Sequence, residues 1–139
     1  MYGSSLEPIV IVLNRDLESL PNGDPRIYWT PKEKWRGFRG ASGFNIVADV
    51  LNSRVVGDSS QQAQLRWYMQ WSVDGLTWRD FDGFPTSAAT ISDGTHIKET
   101  FFPSDVEVDA PLVRFGVQVA SSGSNLAISR LTIVAMPFR

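Results

Sequence analysis

The stretch LRWYMQWSVDGLTWRDF, residues 65–81, decides the fold class of this chain. Its first half alternates apolar residues with more polar ones as far as Val73, which is the period of a β-strand with one buried face. Asp74-Gly75 then interrupts the alternation, and this dipeptide between two such runs is a strong signal for a β-hairpin. The chain returns through Trp78. The stretch therefore predicts the central hairpin of an antiparallel sheet.

Other short stretches also have strand character, because they are apolar, β-branched or alternating and end at clusters of turn-forming residues. They span residues 9–13, 26–30, 44–51, 95–102, 112–120 and 126–138. Two facing sheets bury the apolar side of every such strand, so the sequence predicts an all-β, antiparallel β-sandwich. Trp67, Trp71 and Trp78 are predicted to lie in its core, where aromatic pairs dominate the packing.

The length of 139 residues suits one domain. We expect the whole chain to form a single β-sandwich domain whose core lies in residues 44–139. Residues 1–43 are expected to supply an N-terminal strand, buried on both faces at residues 9–13, followed by a long loop or arm. Residues 32–43 are irregular and rich in glycine, which predicts a long exposed loop.

The composition excludes several classes of function. Without cysteine, the chain has no disulfide, zinc–thiolate site or thiol nucleophile. The net charge of −2 predicts nothing about polyanionic partners, but a pI near 5.3 argues against nucleic acid as a partner. The longest apolar run, residues 9–13, is far too short to cross a membrane, so no membrane partner is expected. Residues 1–5 lack the basic and apolar segments of a secretion signal, so we expect no signal peptide.

Two stretches carry a resemblance to a known family. Residues 71–78, WSVDGLTW, resemble the aromatic-Ser-x-Asp-Gly-x-x-Trp hairpin of galactose-binding-like β-sandwiches, which include discoidin domains and carbohydrate-binding modules. Residues 113–117, VRFGV, resemble the penultimate strand of those domains, in which an arginine lies in an apolar run. The resemblance implies a galactose-binding-like or jelly-roll sandwich and glycan binding. More weakly, this short, cysteine-free chain is similar to jelly-roll decoration or cement proteins of phage capsids.

Cations and aromatic rings are interleaved in the predicted loop at residues 32–43. The residues concerned are Lys32, Lys34, Trp35, Arg36, Phe38 and Arg39. Such a mixture suits nucleic acid, since cations bind phosphates and rings stack on bases. The acidic pI instead favours docking on an acidic protein surface, where arginine and tryptophan are frequent anchors. We therefore interpret these residues as an interaction loop.

A second candidate surface follows from the parity of the strand at residues 65–73. If its apolar side faces inward, the intervening polar residues face outward, and two further aromatic residues are candidates to join them. These candidates are Tyr28, Trp29, Arg66, Tyr68 and Gln70. A sugar stacks its C–H face on an aromatic ring while polar side chains bind its hydroxyl groups. The pattern predicts a shallow binding face for a glycan, and the same face would equally suit a protein partner.

No pattern predicts catalysis or a cofactor. His96 is the one histidine, and the Gly-x-Ser-x-Gly motif of serine hydrolases is absent. We expect the protein not to be an enzyme and to need no cofactor. Asp105, Glu107 and Asp109 would share one side of an extended acidic connector, an arrangement that could offer oxygens to Ca²⁺. Because acidic connectors are usually only solvated, no metal site is predicted, and the calcium alternative stays open here.

These observations favour a non-catalytic structural or interaction protein of a larger assembly. The most specific hypothesis is a phage virion protein of the capsid decoration or cement type. It would form a homo-oligomer and bind a larger protein shell through the interaction loop and the strand at residues 9–13. Its location would be the virion, with the cytoplasm as the alternative. The alternative function is a carbohydrate-binding module that mediates adhesion to glycans.

Overall fold

A computed structural model describes residues 6–139 as two antiparallel sheets packed face to face. The strands are β1 (Ile9–Glu18), β2 (Arg26–Trp29), β3 (Gly43–Val55), β4 (Ala63–Ser72), β5 (Arg79–Asp80), β6 (Ala89–Ile91), β7 (His96–Phe101), β8 (Leu112–Ser121) and β9 (Ala127–Phe138), with a 3-10 helix at Lys32–Lys34 and an α-helix, α1, at Asp105–Asp109. The signal-peptide expectation concerns residues 1–5, which lie outside the described residues. No helix within the described residues is long and apolar enough to span a bilayer.

The order of the strands identifies a jelly roll. The first sheet has the order β1-β9-β3-β7, and the second has β2-β8-β4-β5 with β6 also paired to β4. Counted along the chain, the first strand pairs with the last, the second with the last but one, and the third with β7, alternately in the two sheets. A long hairpin rolled over on itself gives this nested pairing. The predicted all-β sandwich of jelly-roll type is therefore confirmed.

Alternation along the strands builds the core, as predicted. In β4, Leu65, Trp67 and Met69 are buried while the residues between them are partly exposed. The same parity buries Ile46, Ala48 and Val50 in β3, Val113, Phe115 and Val117 in β8, and Leu131, Ile133 and Ala135 in β9. Each sheet thus turns one apolar side inward and leaves its other side as an outer surface.

The turn after β4 is confirmed but is wider than a two-residue hairpin. Gly75 has φ +77°, the left-handed conformation that favours glycine. Asp74 accepts hydrogen bonds from the backbone N–H groups of Leu76 and Thr77, at 2.8 and 3.0 Å, which opens the turn into a loop. The loop carries Trp78 onto the surface, where it is half-buried. The prediction that Trp78 lies in the core is therefore wrong, whereas Trp71 packs against the core at its margin.

The N-terminal part of the chain supplies an edge strand to each sheet. β1 extends to Glu18, although the polar composition of residues 14–18 predicts a loop, because an edge strand need not bury both of its sides. Irregular register between Val12 and Arg15 marks a bulge, and Leu13 within it is 71% exposed. This exposure corrects the expectation that residues 9–13 are buried on both faces.

Residues 32–43 are exposed only in part, because the segment is anchored in the core. Phe38 is fully buried, with its ring 5.8 Å from the rings of both Phe44 and Phe115. Arg36 forms an isolated β-bridge with Val113. The expectation of an exposed loop is therefore wrong at Phe38 and Ala41, which are buried, whereas Lys32–Lys34 and Arg39 are exposed.

The acidic connector is also more ordered than its composition suggests. Asp105–Asp109 form α1, which begins with a capping box between Ser104 and Glu107. The carboxylate of Glu107 is buried and accepts hydrogen bonds from the backbone N–H groups of Ser104 and Asp82, at 2.8 and 2.7 Å. The possible calcium site required an extended connector at residues 105–109, and this expectation is wrong because the segment is helical. Within residues 6–139 no group of three acidic or histidine residues could hold a metal ion.

Candidate functional site

Polar and aromatic side chains are concentrated on the outer surface of the second sheet. Residues paired directly across antiparallel strands share one face, so the register of β2, β8, β4 and β5 defines which side chains lie together. We call this surface the aromatic face and define it by Trp29, Arg66, Tyr68, Gln70, Arg114 and Gln118. The register arranges it in three cross-strand rows: Trp29–Gly116–Tyr68, with Arg114–Gln70–Asp80 on one side and Ile27–Gln118–Arg66 on the other.

The middle row is aromatic, and it depends on a glycine. A Cβ atom placed on Gly116 would lie 2.8 Å from two ring carbons of Trp29 and 3.1 Å from the Cβ of Tyr68. Only glycine lets the indole lie directly over the sheet at this point. The rings of Trp29 and Tyr68 are 5.6 Å apart and inclined by 60°. The sheet thus presents two neighbouring rings on a rigid base.

Arg114 lies between two tryptophan rings. Its guanidinium carbon is 4.2 Å from the ring centre of Trp29 and 4.4 Å from that of Trp78, which are cation–π distances. Its Nε and Nη2 groups both donate to Oε1 of Gln70, at 2.9 and 2.6 Å. Partial burial lowers the pKa of Arg114 from its usual value, although the group stays charged at neutral pH. A fixed cation is therefore built into the aromatic face.

Two loops add the rings of Trp35 and Trp78 at the edge of this face. We call these two rings, together with Trp29 and Tyr68, the aromatic cluster. The rings of Trp35 and Trp78 meet edge to face at 4.7 Å. The indole N–H of Trp35 donates to the carbonyl oxygen of Thr30 at 3.0 Å, which orients the ring. Trp78 is held by the loop around Asp74, and hydrogen bonds from Thr77 and Leu76 lower the pKa of that carboxyl. The backbone of Thr30 thus positions Trp35, whereas the ring of Trp78 contacts Trp35 and Arg114.

The remaining row supplies polar groups. The hydroxyl of Tyr68 donates to Oε1 of Gln118 at 2.7 Å. The Nε atom of Arg66 is buried and has no hydrogen-bond partner within residues 6–139. Buried polar groups are normally paired, so this donor is an exception among the groups of the face.

The structure brings together most of the predicted glycan or protein face. Trp29, Arg66, Tyr68 and Gln70 share the outer surface, as strand parity indicated. Tyr28 is on the opposite side of β2, where its hydroxyl accepts from the N–H of Glu18 and donates to the carbonyl of Glu18, both at 3.0 Å. The grouping of Tyr28 with Trp29 is therefore corrected, because neighbouring residues of a strand point to opposite faces.

The six residues of the predicted interaction loop do not form one surface. Phe38 is in the core, so it cannot serve as an exposed anchor, and Trp35 belongs to the aromatic cluster. Lys34 donates to the carbonyl of Val10 at 3.1 Å, and Arg36 donates to the carbonyl of Glu7. Burial lowers the pKa of Arg36. Lys32 and Arg39 are exposed. Most of this set therefore contacts the chain itself.

Sequence reasoning missed three residues of the site. Two belong to the aromatic face, Arg114 and Gln118, and the third, Trp78, lies at its edge. A signal existed for Arg114, because the alternation in residues 113–117 places it on the outer side of a strand whose other side is apolar. Trp78 could not be found in this way, since its loop obeys no strand period.

Two cavities lie beside β5 and share part of their lining. They have volumes of about 410 and 270 Å³, and both are lined by Trp71 and Arg79. Asp80 and Asp82 contribute to the larger cavity. This groove offers one half-buried ring, whereas the aromatic face offers a row of rings with fixed polar groups.

His96 is remote from the aromatic face in the topology. It is on β7 of the first sheet and forms an ion pair with Asp49 when protonated, with 3.1 Å between Nδ1 and Oδ1. The two side chains are 77% and 45% exposed, as expected for surface strand residues. The pair is placed to interact with solvent.

Comparisons with known proteins return structural likenesses only. No family model and no curated protein matches the chain. A xylanase 10C of Cellvibrio japonicus in complex with xylopentaose is similar, with a TM-score of 0.49 and 12% identity over 88% of this chain and 22% of the xylanase. CBM27-1 of Caldicellulosiruptor saccharolyticus, in complex with mannohexaose, has a TM-score of 0.46 and 16% identity over 85% of this chain and 70% of the module.

A viral protein is similar to the same degree. The structure of infectious bursal disease virus, Gt strain, has a TM-score of 0.49 and 13% identity over 96% of this chain and 32% of the viral chain. Because these TM-scores are all below 0.5, the fold assignment rests on the strand pairing of the chain itself.

Proposed function

We propose that this protein is a non-catalytic glycan-binding module that binds a polysaccharide chain on the aromatic face. The observation that carries the proposal is the row Trp29–Gly116–Tyr68, in which a glycine allows two rings to lie side by side over a sheet. This is the function considered above as the alternative to a capsid protein.

The chemistry of a sugar fits these side chains. An aromatic ring carries negative charge on its face, which attracts the weakly positive C–H groups on one side of a pyranose. Hydroxyl groups at the rim of the sugar need donors and acceptors, and Gln70 and Arg114 hold an amide and a guanidinium group beside the rings. Because strands fix all of these groups, little conformational entropy is lost on binding.

The same face is poorly suited to glycoside hydrolysis. That reaction normally uses a pair of carboxyl groups flanking the bond that is cleaved. Of the strand residues described on this face, Asp80 is the one carboxylate, and its Oδ1 accepts a hydrogen bond from Gln70 at 3.0 Å. We therefore propose that the bound glycan leaves unchanged.

The test is affinity electrophoresis through gels that contain xylan, galactomannan or polygalacturonate. We expect at least one polysaccharide to retard the protein. Trp29→Ala and Tyr68→Ala should each weaken binding by about tenfold or more, as truncation of aromatic anchors does. Phe102→Ala is the matched control, since Phe102 is 73% exposed but follows β7 of the first sheet. Equal retardation of Trp29→Ala and wild type, or retardation by none of the polysaccharides, would overturn the proposal.

An assembly role is the second candidate, and one observation favours it. Leu13 and Leu51 are 71% and 50% exposed, and each lies at a bulge in a strand that flanks β9. Exposed aliphatic residues on an open sheet suit contact with a second copy or with a protein shell, which would agree with a virion location. Analytical ultracentrifugation tests the self-association: a monomer at high protein concentration would contradict it, and a dimer that Leu13→Asp dissociates would support it.

A further inference from the structure

Arg114 is a partly buried cation without a counter-ion in the described part of the chain. No carboxylate oxygen of residues 6–139 lies within 4.0 Å of the Arg114 guanidinium, in contrast to the pairs His96–Asp49 and Arg130–Asp16. Charged groups that leave water are normally paired. The chain instead surrounds this one with two indole rings and a neutral amide.

The contacts of Arg114 fix its orientation while leaving hydrogen-bonding capacity. Nε and Nη2 share one acceptor, Oε1 of Gln70. Nη1 makes no hydrogen bond within the part of the chain that the structure describes. Contacts with the rings of Trp29 and Trp78 hold the guanidinium in place. A pre-organised guanidinium with free N–H groups is well suited to bind carboxylate or sulfate oxygens.

The rest of the aromatic face has the same sign of charge. Arg66 lies two rows from Arg114, four residues along the strand register, which corresponds to about 13 Å. The opposing charge on these strands is Asp80, whose Oδ1 is already bonded to Gln70. The face therefore carries two guanidinium groups and one carboxylate on a chain whose net charge is −2.

We propose that the ligand of the aromatic face is an anionic glycan, in which a carboxylate or sulfate group of one sugar pairs with Arg114. The inference rests on the proposed glycan binding and specifies its ligand class. The sugar ring would pack against the exposed parts of the Trp29 and Tyr68 rings, so that its charged group reaches Arg114, which already lies over the Trp29 ring. The distance to Arg66 suits a second charged sugar further along the same chain.

Matched pairs of oligosaccharides separate charge from sugar recognition. Isothermal titration calorimetry would compare trigalacturonate with its methyl ester, and a κ-carrageenan hexasaccharide with its neutral desulfated form. We expect wild type to prefer the charged member of one pair by about tenfold or more, as for a charge-assisted hydrogen bond. Which pair shows the preference distinguishes a carboxylate from a sulfate. The preference should also decrease as salt is raised from low to physiological concentration.

Variants assign the preference to Arg114. Arg114→Gln should reduce the ratio of charged to neutral affinity to near one, whereas Lys98→Gln, which removes a cation from the first sheet, should leave the ratio unchanged. If circular dichroism shows that Arg114→Gln does not fold, the ratio of charged to neutral affinity in wild type and in Arg66→Gln still tests whether the ligand is anionic. Equal affinity for both members of each pair, or binding of neutral xylan or galactomannan alone, would overturn the anionic ligand and leave glycan binding intact. Binding of no glycan at all would overturn both.

Discussion

The outer surfaces of the two sheets are built by the same alternation but differ in how their polar groups are satisfied. On the first sheet, charged side chains have polar partners: Asp49 interacts with His96 at 3.1 Å, and Arg130 interacts with Asp16 at 3.5 Å and with the amide of Asn14 at 2.9 Å. On the second sheet, the guanidinium of Arg114 interacts with rings and an amide instead.

This difference indicates which surface has capacity for a ligand. Ion pairs between exposed groups leave little binding potential, because each charge already has a partner and water around it. Rings and unpaired donors on an open surface favour ligand binding, because a ligand removes apolar area from water and supplies the missing hydrogen-bond partners. The following predictions test whether the two surfaces differ in this way.

The largest expected effect on stability comes from a change in the core, which supports both outer surfaces. Phe38→Ala should lower the free energy of unfolding by about 3–5 kcal/mol, because it removes a fully buried ring. Lys32→Ala, six residues earlier and exposed, should leave the melting temperature nearly unchanged. Urea unfolding followed by tryptophan fluorescence measures both. A small loss for Phe38→Ala would mean that residues 32–43 are not fixed to the core.

Gly116→Ala should damage the aromatic face selectively. The new methyl group would meet the ring of Trp29 at 2.8 Å, and such overpacking costs about 1–3 kcal/mol. The ring must shift, so glycan binding in affinity gels should weaken by about tenfold. Thr132→Ala, on the outer side of β9, serves as the control for the first sheet. Undiminished binding by Gly116→Ala would show that the position of Trp29 is irrelevant.

Trp78→Ala should cost less stability than truncation of a core aromatic residue. The ring is half-buried, so we expect a loss of about 1–2 kcal/mol, roughly half of that for full burial. It also removes one of the two rings that hold Arg114, so the charged-to-neutral affinity ratio should fall. Leu76→Ala, which is strongly exposed in the same loop, should change neither quantity. A loss of about 3–5 kcal/mol would instead indicate that Trp78 is buried in the core.

The smallest effect is expected on the first sheet. Asp49→Asn removes the carboxylate from the exposed pair with His96, which should change the free energy of unfolding by less than about 1 kcal/mol. Glycan binding should be the same as in wild type. Thermal unfolding and affinity electrophoresis together check this. A clear loss of binding in the Asp49→Asn variant would be evidence that the first sheet takes part in the site.

The fold and part of the site were predictable because they depend on local periodicity. The parity of β4 fixes both the buried Leu65 and the outward Tyr68 without any knowledge of partners. Ser104 and Glu107 have the spacing of a capping box, so α1 had a recognisable signal despite its five residues. The anchoring of Phe38 had none, because an irregular segment has no period to show which side chain turns inward.

The centre of the site depends on contacts between distant parts of the chain. Trp29 and Arg114 meet because β2 pairs with β8 in one register, and a shift of one residue would move the ring to the other face. Trp78 joins them through a loop whose shape is set by hydrogen bonds to Asp74. Sequence patterns within each strand contain no information on that register, so the cluster becomes visible only in the folded chain.

The most direct measurement follows the five tryptophan indole N–H resonances by NMR during titration with oligosaccharides of the polysaccharide that retards the protein most. The indole of Trp67 is an internal reference, because it is buried and donates to Glu99 at 2.9 Å. We predict large shifts for Trp29 and Trp78 and none for Trp67. Shifts confined to Trp71, or an absence of shifts at Trp29 under saturating ligand, would contradict binding on the aromatic face.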